Sequence, residues 1–166
     1  MISTEKWNSF QKLLSEVAYG LLTEKSTTTI YHYSRLDEEN IVLDPNYKKQ
    51  FYSRREFETA STPRIFFYAD PSQKERFFAS SNLYSAEVAS DQIYNLTADP
   101  EGYVKKHRHP TYGLRKGVEW DTMLEDIRDS FGGIFYSTAN FDVVAWFQPI
   151  QVDRVPAEEQ QRLEEK

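Results

Sequence analysis

The sequence predicts an α+β domain, because segments with strand character lie towards both ends of the chain and helical segments lie between them. β-branched and aromatic residues dominate positions 27–33, 64–69 and 143–147, as expected of strands. Apolar residues spaced by three and four dominate positions 3–22 and 119–130, as expected of amphipathic helices. Strict alternation of strand and helix is absent, so a doubly wound parallel sheet is not favoured.

Further strands are expected where short apolar runs alternate with polar residues, at positions 83–88, 134–136 and 150–152. A short strand at 93–96 is expected to extend or follow the one at 83–88. Residues 35–63 are polar and irregular, with turn signals at Asp44-Pro45 and Thr62-Pro63, and are expected to form a connection.

The helix signals are caps, proline positions and apolar spacing. Ser3 and Thr4 precede the first apolar face, and Asp70 with Pro71 is typical of a helix start, here continuing to about residue 78. Another helix is expected from 99 or 100 to about 106. In the helix at 119–130, the apolar positions Met123, Leu124 and Ile127 should face the core, and Gly132-Gly133 should end it.

Length and terminal composition set the domain limits. A chain of 166 residues fits one domain, here residues 1–156, with a charged C-terminal tail at 157–166 for which a frayed helix is an open alternative. No run approaches the ~20 apolar residues needed to cross a bilayer, and no signal-peptide pattern is present. A cytoplasmic location is therefore expected, with no membrane partner.

Composition also narrows the function classes. Cysteine is absent, which excludes disulfides, thiolate zinc sites and cysteine nucleophiles. The net charge of −6 argues against stable nucleic-acid binding, although Arg54-Arg55 and residues 105–109 are locally basic. His107 and His109 have no evident third ligand, so no metal is expected. Neither the Rossmann glycine motif nor the P-loop motif occurs.

Three segments carry residues suited to chemistry. The first, residues 31–34, reads Tyr-His-Tyr-Ser and ends a strand. The second, residues 64–74, reads Arg-Ile-Phe-Phe-Tyr-Ala-Asp-Pro-Ser-Gln-Lys and spans a strand-to-helix turn. The third, residues 140–146, reads Asn-Phe-Asp-Val-Val-Ala-Trp and begins a late apolar strand.

In that order the segments resemble the ADP-ribosyltransferase superfamily. The resemblance is to its histidine-tyrosine-acid branch, which includes the catalytic core of poly-ADP-ribose polymerases and small prokaryotic and phage members. The ending Phe-Gln-Pro-Ile-Gln-Val at 147–152 is similar to that of the small members, and the match spans residues 28–152. It implies a split mixed β-sheet core with an N-terminal helix and flanking helices.

The resemblance also implies a function and a set of site residues. The function is NAD-dependent mono-ADP-ribosylation of a macromolecular acceptor, protein or nucleic acid, by a phage or toxin-type effector. Asp142 and His32 are the implied catalytic residues, with Asp142 stabilising the oxocarbenium-like state and His32 orienting a ribose hydroxyl. The implied NAD-binding residues are His32, Tyr33, Ser34, Arg64, Phe67, Tyr68 and Ser72.

Three positions depart from the family pattern. Tyr33 replaces a glycine, Phe67 replaces the nicotinamide-stacking tyrosine, and Asp142 replaces a glutamate and aligns only with a one-residue insertion. Stacking requires only an aromatic face, so Phe67 or Tyr68 can serve, and alternation along a strand lets one of the two face a cleft. Two alternatives stay open: a catalytically silent NAD-pocket domain that acts as a binding or inhibitor protein, and a nucleotide- or glycoside-processing hydrolase.

Overall fold

The computed structural model describes residues 26–46, 62–73 and 81–166. The helix expected at 3–22, the basic pair Arg54-Arg55 and most of the helix expected from Asp70 to residue 78 lie outside these ranges.

Among the described residues, eight strands form one mixed sheet in the order β2-β8-β4-β1-β3-β7-β6-β5. β5 and β6 pair in parallel, and all other neighbours are antiparallel. The strands are β1 (Thr27–Ser34), β2 (Asn40–Leu43), β3 (Ile65–Tyr68), β4 (Asn82–Ala89), β5 (Ile93–Asn95), β6 (Gly133–Ser137), β7 (Asp142–Trp146) and β8 (Ile150–Arg154). A large sheet with few helices confirms the α+β class.

Three α-helices lie in the described part of the chain: α1 (Tyr103–His107), α2 (Glu119–Arg128) and α3 (Ala157–Glu164). Short 3₁₀ turns occur at Pro71–Gln73 and Ser90–Gln92. None of these helices has the length and apolar character required to span a bilayer.

The helix boundaries follow local chemistry. α2 matches its expected range closely, and the apolar positions expected to face inward, Met123, Leu124 and Ile127, are fully buried. α1 begins later than expected because Gly102 adopts a left-handed φ of 74°. The Asp99 carboxylate lies before the helix and accepts hydrogen bonds from the backbone N–H groups of Val104 and Lys105, so it caps α1 from outside.

β2 is a strand within the segment that was expected to be an irregular connection. It pairs with β8, and its residues alternate, with Ile41 and Leu43 buried and Val42 67% exposed. Only three consecutive apolar residues mark this strand, and they read as a short apolar run rather than as an alternating pattern. Pairing with β8, and not the local sequence, therefore makes this segment a strand.

The sheet buries a different set of side chains on each face. On one face, here called the Phe67 face, Phe67 packs in a cluster with Ile30, Tyr84, Val144 and Val152. On the opposite face, here called the helix face, α2 packs against β6 and β7, and Leu163 of α3 packs near β1 and β4.

The charged segment 157–166, for which a frayed helix is an open alternative, contains α3, and side-chain hydrogen bonds tie this helix to the sheet. The Gln160 side chain accepts from the Leu83 backbone N–H at 3.0 Å and donates to the Ser81 carbonyl at 3.1 Å. The Tyr33 hydroxyl donates to Glu164 at 2.9 Å. The end of β1 is therefore held in place by α3.

The sheet is weakly joined at its middle. β1 and β4 pair over the whole of β1, from Thr27 to Ser34. On its other side, β1 pairs with β3 only at Tyr31 and Tyr68. Residues 32 and 66–67 lie directly beside this narrow junction, where few backbone hydrogen bonds hold the two halves together.

Candidate functional site

His32 lies at the junction between β1 and β3. The residue is 8% exposed, and Nδ1 lies 3.0 Å from the Phe66 carbonyl oxygen. Because a carbonyl only accepts, Nδ1 carries the proton, and Nε2 is the acceptor atom of the neutral ring. The imidazole therefore bridges the two halves of the sheet.

Burial decides the charge of His32. Removal of the ring from water lowers its pKa to about 4, while the hydrogen bond to the Phe66 carbonyl acts in the opposite direction. The ring is therefore neutral near pH 7, and its Nε2 can accept a hydrogen bond from a hydroxyl group.

The aromatic residues of β3 point to different faces. Phe67 lies on the face of the sheet that carries His32, with the two ring centroids 5.6 Å apart. Tyr68 lies on the helix face, where its ring makes edge contacts with Tyr33 at 5.8 Å and Phe141 at 5.7 Å. Of the two candidate stacking residues, only Phe67 shares a face with His32.

The burial of Phe67 is an obstacle to a stacking role. Its side chain is 2% exposed, so other protein groups cover both faces of the ring. A nicotinamide ring could stack on Phe67 only after some of those groups moved. The residue now packs against the His32 imidazole and thereby fixes its orientation.

Asp142 begins β7 and is half-buried. Alternation along β7 places its side chain on the same face as Val144 and Trp146, which is the Phe67 face. The Ser137 hydroxyl, opposite on β6, donates to Asp142 Oδ1 at 2.6 Å. One carboxylate oxygen is thus oriented by Ser137.

The backbone of Asp142 is held by the turn that follows β3. Its N–H donates to Gln73 Oε1 at 2.8 Å, and its carbonyl accepts from the Ala69 N–H at 3.1 Å. Asp70 Oδ1 accepts from the backbone N–H and the hydroxyl of Ser72, as expected for a residue that caps a helical turn. The turn therefore connects the second and third sequence segments.

Tyr33 and Ser34 differ in their surroundings. The Tyr33 side chain is 5% exposed on the helix face, and its hydroxyl lies 2.9 Å from the Pro71 carbonyl oxygen as well as near Glu164. Burial, followed by the contact with Glu164, raises the pKa of Tyr33 far above its usual value, so the phenol stays protonated. Ser34 is half-buried, and its Oγ accepts from the Leu36 N–H at 3.2 Å.

Arg64 lies apart from the other candidate residues. Its guanidinium sits 5.4 Å from the centre of the Phe66 ring and donates to the Thr62 carbonyl at 3.0 Å. Phe66 packs on the helix face, so Arg64 covers that face rather than the Phe67 face. His32, Phe67 and Asp142 share the Phe67 face of the sheet, whereas Arg64 and Tyr68 lie on the helix face.

The register of the strands sets the spacing within this group. The register places His32, Phe67 and Val144 side by side on β1, β3 and β7. Asp142 lies on β7, two strands from β1, and is two residues from Val144 along that strand. With strands ~4.8 Å apart and a rise of ~3.4 Å per residue, the Cα atoms of His32 and Asp142 are roughly 12 Å apart. The two side chains therefore suit different groups of one extended ligand.

Sequence reasoning missed two supporting residues. Ser137 orients the Asp142 carboxylate, and Gln73 holds its backbone. The four-residue loop 138–141 between two apolar strands indicates a hairpin, and hairpin pairing places residue 137 opposite residue 142. Gln73 gives no comparable signal, because its contact depends on how β3 and β7 pair.

Among the described residues, no cluster of histidine and acidic side chains is arranged to hold a metal ion. Comparison of the chain with protein-family models, with curated proteins and with solved structures gave no match.

Proposed function

We propose that the protein is an NAD-dependent mono-ADP-ribosyltransferase that modifies a macromolecular acceptor, with an ADP-ribosyltransferase-like split sheet as its core. One observation carries the proposal. His32, Phe67 and Asp142 come from three separate segments of the sequence, and strand pairing and alternation place them on one face of the sheet. If they had pointed to opposite faces, a binding role without catalysis would have been favoured.

Asp142 has the chemistry needed at the reacting sugar. Cleavage of the nicotinamide–ribose bond develops positive charge on the ribose, and a nearby carboxylate stabilises that charge more strongly in the transition state than in the ground state. Nicotinamide leaves with the bonding electron pair. A nucleophilic oxygen or nitrogen of the acceptor then forms the new bond to the ribose C1′ and releases its proton, where it carries one, to solvent.

The hydrogen bond from Ser137 supports this role for Asp142. It fixes the carboxylate in one orientation, so that less reorganisation is needed as charge develops on the sugar. The hydrogen bond from the Asp142 N–H to Gln73 fixes the backbone in the same way. A preorganised carboxylate on a strand is better positioned than one on a mobile loop.

His32 suits a binding role rather than a proton-transfer role. A ring with a pKa of about 4 is neutral near pH 7, so Nε2 would accept a hydrogen bond from a ribose hydroxyl without exchanging a proton. Because Nε2 is buried, this contact requires that the groups covering it move, as for Phe67. The separation of His32 from Asp142 favours a contact with a part of NAD away from the reacting carbon. Removal of His32 should therefore weaken NAD binding in the ground state and the transition state alike.

The resemblance also assigns NAD-binding roles to Tyr33, Ser34 and Ser72, and these stay predictions. The backbone of Tyr33 can serve the nicotinamide carboxamide regardless of its side chain, which points to the opposite face. Ser34 lies on the same side of β1 as His32 by alternation. Ser72 lies in the turn that holds Asp142.

The test is incubation with isotopically labelled NAD and mixed protein and nucleic-acid acceptors, followed by intact-mass measurement. We expect labelled ADP-ribose on one acceptor class with the wild-type chain. The Asp142→Asn variant should transfer ADP-ribose at least about 100-fold more slowly, which corresponds to a barrier increase near 3 kcal/mol. Asp153→Asn is the matched control, because Asp153 is an exposed acid on edge-proximal β8. Equal transfer by the wild type and Asp142→Asn would refute this role for Asp142.

A further inference from the structure

An open cleft of about 460 Å³ lies beside α1, away from the residues proposed to bind NAD. Lys105, Arg108 and His109 line it, together with Asp99, Val104 and Pro110. Lys105 and Arg108 are exposed, and among the described residues neither forms an ion pair. The cleft therefore presents two cationic groups to solvent.

The local charge contrasts with that of the whole chain. Between Gly102 and Val118 there are five lysine and arginine residues and no aspartate or glutamate, whereas the net charge of the chain is −6. Asp99 is the acidic group in the wall of the cleft. Its carboxylate accepts from the Tyr94 hydroxyl and from two backbone N–H groups, so its charge is directed into the protein.

A planar stack adjoins the cleft. The Tyr112 ring lies 4.9 Å from the His109 ring at an interplanar angle of 29°, and the Arg115 guanidinium lies 5.0 Å from the centre of the Tyr112 ring. Tyr112 is still 63% exposed. Tyrosine, histidine and arginine planes are the groups on which unpaired bases stack.

The stack is rigid because its backbone and side chains are tied together. His109 and Gly113 exchange backbone hydrogen bonds at 3.0 Å, which closes a tight turn with Tyr112 inside it. His109 Nδ1 accepts from the Thr111 and Tyr112 N–H groups. Glu119 holds the Arg115 guanidinium through several hydrogen bonds, so Arg115 supplies a planar surface rather than a free charge.

The chain reaches this surface from the end of the sheet at which β7 begins, and the surface itself lies on the helix face, where Val104 and Leu114 pack with α2. β5 runs parallel to β6, and the end of β6 at Ser137 lies opposite Asp142. The chain leaves β5 at that same end and continues into α1 and the turn at 109–113. A strand bound on this surface would thus lie on the helix face and would have to pass the ends of β5 and β6 to reach the Asp142 side chain on the Phe67 face.

We propose that the basic-aromatic surface formed by Lys105, Arg108, His109, Tyr112 and Arg115 binds single-stranded nucleic acid. Lys105 and Arg108 contact phosphates, and the stack at Tyr112 receives a base. Binding of the strand does not rest on the proposed transferase function, whereas use of the strand as the acceptor does. An acidic peptide offers charge but no planar base for the stack, so nucleic acid is the better fit.

Binding is tested with the full chain and fluorescein-labelled oligothymidylate and oligouridylate of about 12 nucleotides, a length within the usual site size. Fluorescence anisotropy is measured over a series of salt concentrations, without NAD. Tyr112→Ala should lower the affinity about tenfold or more, and Tyr112→Phe should retain it, because stacking needs the ring and not the hydroxyl. Arg108→Ala and Lys105→Ala should each reduce the salt slope by about 0.7.

Lys106→Ala is the matched control. Lys106 neighbours Lys105 on the same short helix, but its ammonium pairs with Asp126 at 2.7 Å, so its loss should change the salt slope little. All the substituted side chains are exposed, and melting temperatures should confirm that each variant folds. Binding that is the same in all variants, or that oligoglutamate displaces as well as unlabelled oligonucleotide does, would overturn the proposal.

The two proposals can fail separately. A chain that binds the oligonucleotides through Tyr112 but releases no nicotinamide from NAD keeps this surface and refutes the transferase. A chain that transfers ADP-ribose to a protein, with no loss of transfer in Tyr112→Ala and Arg108→Ala and no oligonucleotide binding, keeps the transferase and refutes this surface.

Discussion

Because His32 is buried and neutral, it should make the free energy of unfolding decrease as the pH is lowered. Substitution of His32 should remove this part of the pH dependence. In the unfolded chain a histidine has a pKa near 6.5, whereas in the folded protein burial lowers the pKa of His32 to about 4. Between these values the unfolded state binds a proton that the folded state does not. Because stability rises with pH wherever the unfolded state binds more protons, stability is lost as the pH falls through this window.

The size of the effect follows from the two pKa values. Each unit of difference corresponds to about 1.4 kcal/mol, so His32 should reduce the free energy of unfolding by about 2 kcal/mol at pH 5 and about 3 kcal/mol at pH 4, relative to pH 8. The side chain is nearly fully buried, so solvent screening is small. The loss should level off below pH 4, where the folded protein also takes up the proton.

His32→Asn is the substitution that isolates this effect. Its side-chain amide can still donate to the Phe66 carbonyl, as Nδ1 does in the wild type, but it does not titrate. Urea unfolding of both proteins from pH 8 to pH 4 gives the difference in unfolding free energy at each pH. The free energy of unfolding of the wild type minus that of His32→Asn should decrease by about 3 kcal/mol between pH 8 and pH 4. Parallel pH profiles would show that His32 is exposed or charged, and would refute the reasoning.

Three other perturbations test the site and its supports. NAD in excess should raise the melting temperature in proportion to the logarithm of the NAD concentration. Phe67→Leu should reduce that rise more than Tyr68→Leu does. No rise at millimolar NAD would count against the binding site. Tyr33→Phe should reduce the free energy of urea unfolding by about 1 to 3 kcal/mol, because the buried hydroxyl that donates to Glu164 or the Pro71 carbonyl is lost, and unchanged unfolding would mean that α3 is not held there. Gly133→Ala should cost about 1 to 3 kcal/mol in the same assay, since its Cβ would lie 2.7 Å from the Ala145 carbonyl oxygen; a stable variant would contradict the close strand approach.

Strong local signals were sufficient for much of the fold. β1, β3 and β7 were predicted because β-branched and aromatic residues are concentrated in them, and α2 because its apolar residues repeat at helical spacing. β2 was missed because pairing with β8, and not its own composition, makes it a strand. The start of α1 was misplaced because a left-handed Gly102 interrupts the segment after Asp99.

The candidate site was predictable only in part, for a similar reason. Alternation showed that Phe67 and Tyr68 must point to opposite faces, but it could not show which of them joins His32, since that depends on the register between β1 and β3. The position of Arg64 over Phe66 follows from the same alternation. Long-range partners of Asp142, such as Gln73, are set by strand pairing across the sheet and leave no local pattern.

Release of nicotinamide from NAD, measured for the wild-type chain and for Asp142→Asn, tests the proposed chemistry without knowledge of the acceptor. Water can replace the acceptor slowly, so a transferase should release nicotinamide even when alone. The wild type should do so measurably, and Asp142→Asn should retain NAD binding but release nicotinamide about 100-fold more slowly. Equal rates for the two proteins, or no release by a wild-type chain that binds NAD, would contradict the assignment of Asp142 as the catalytic acid.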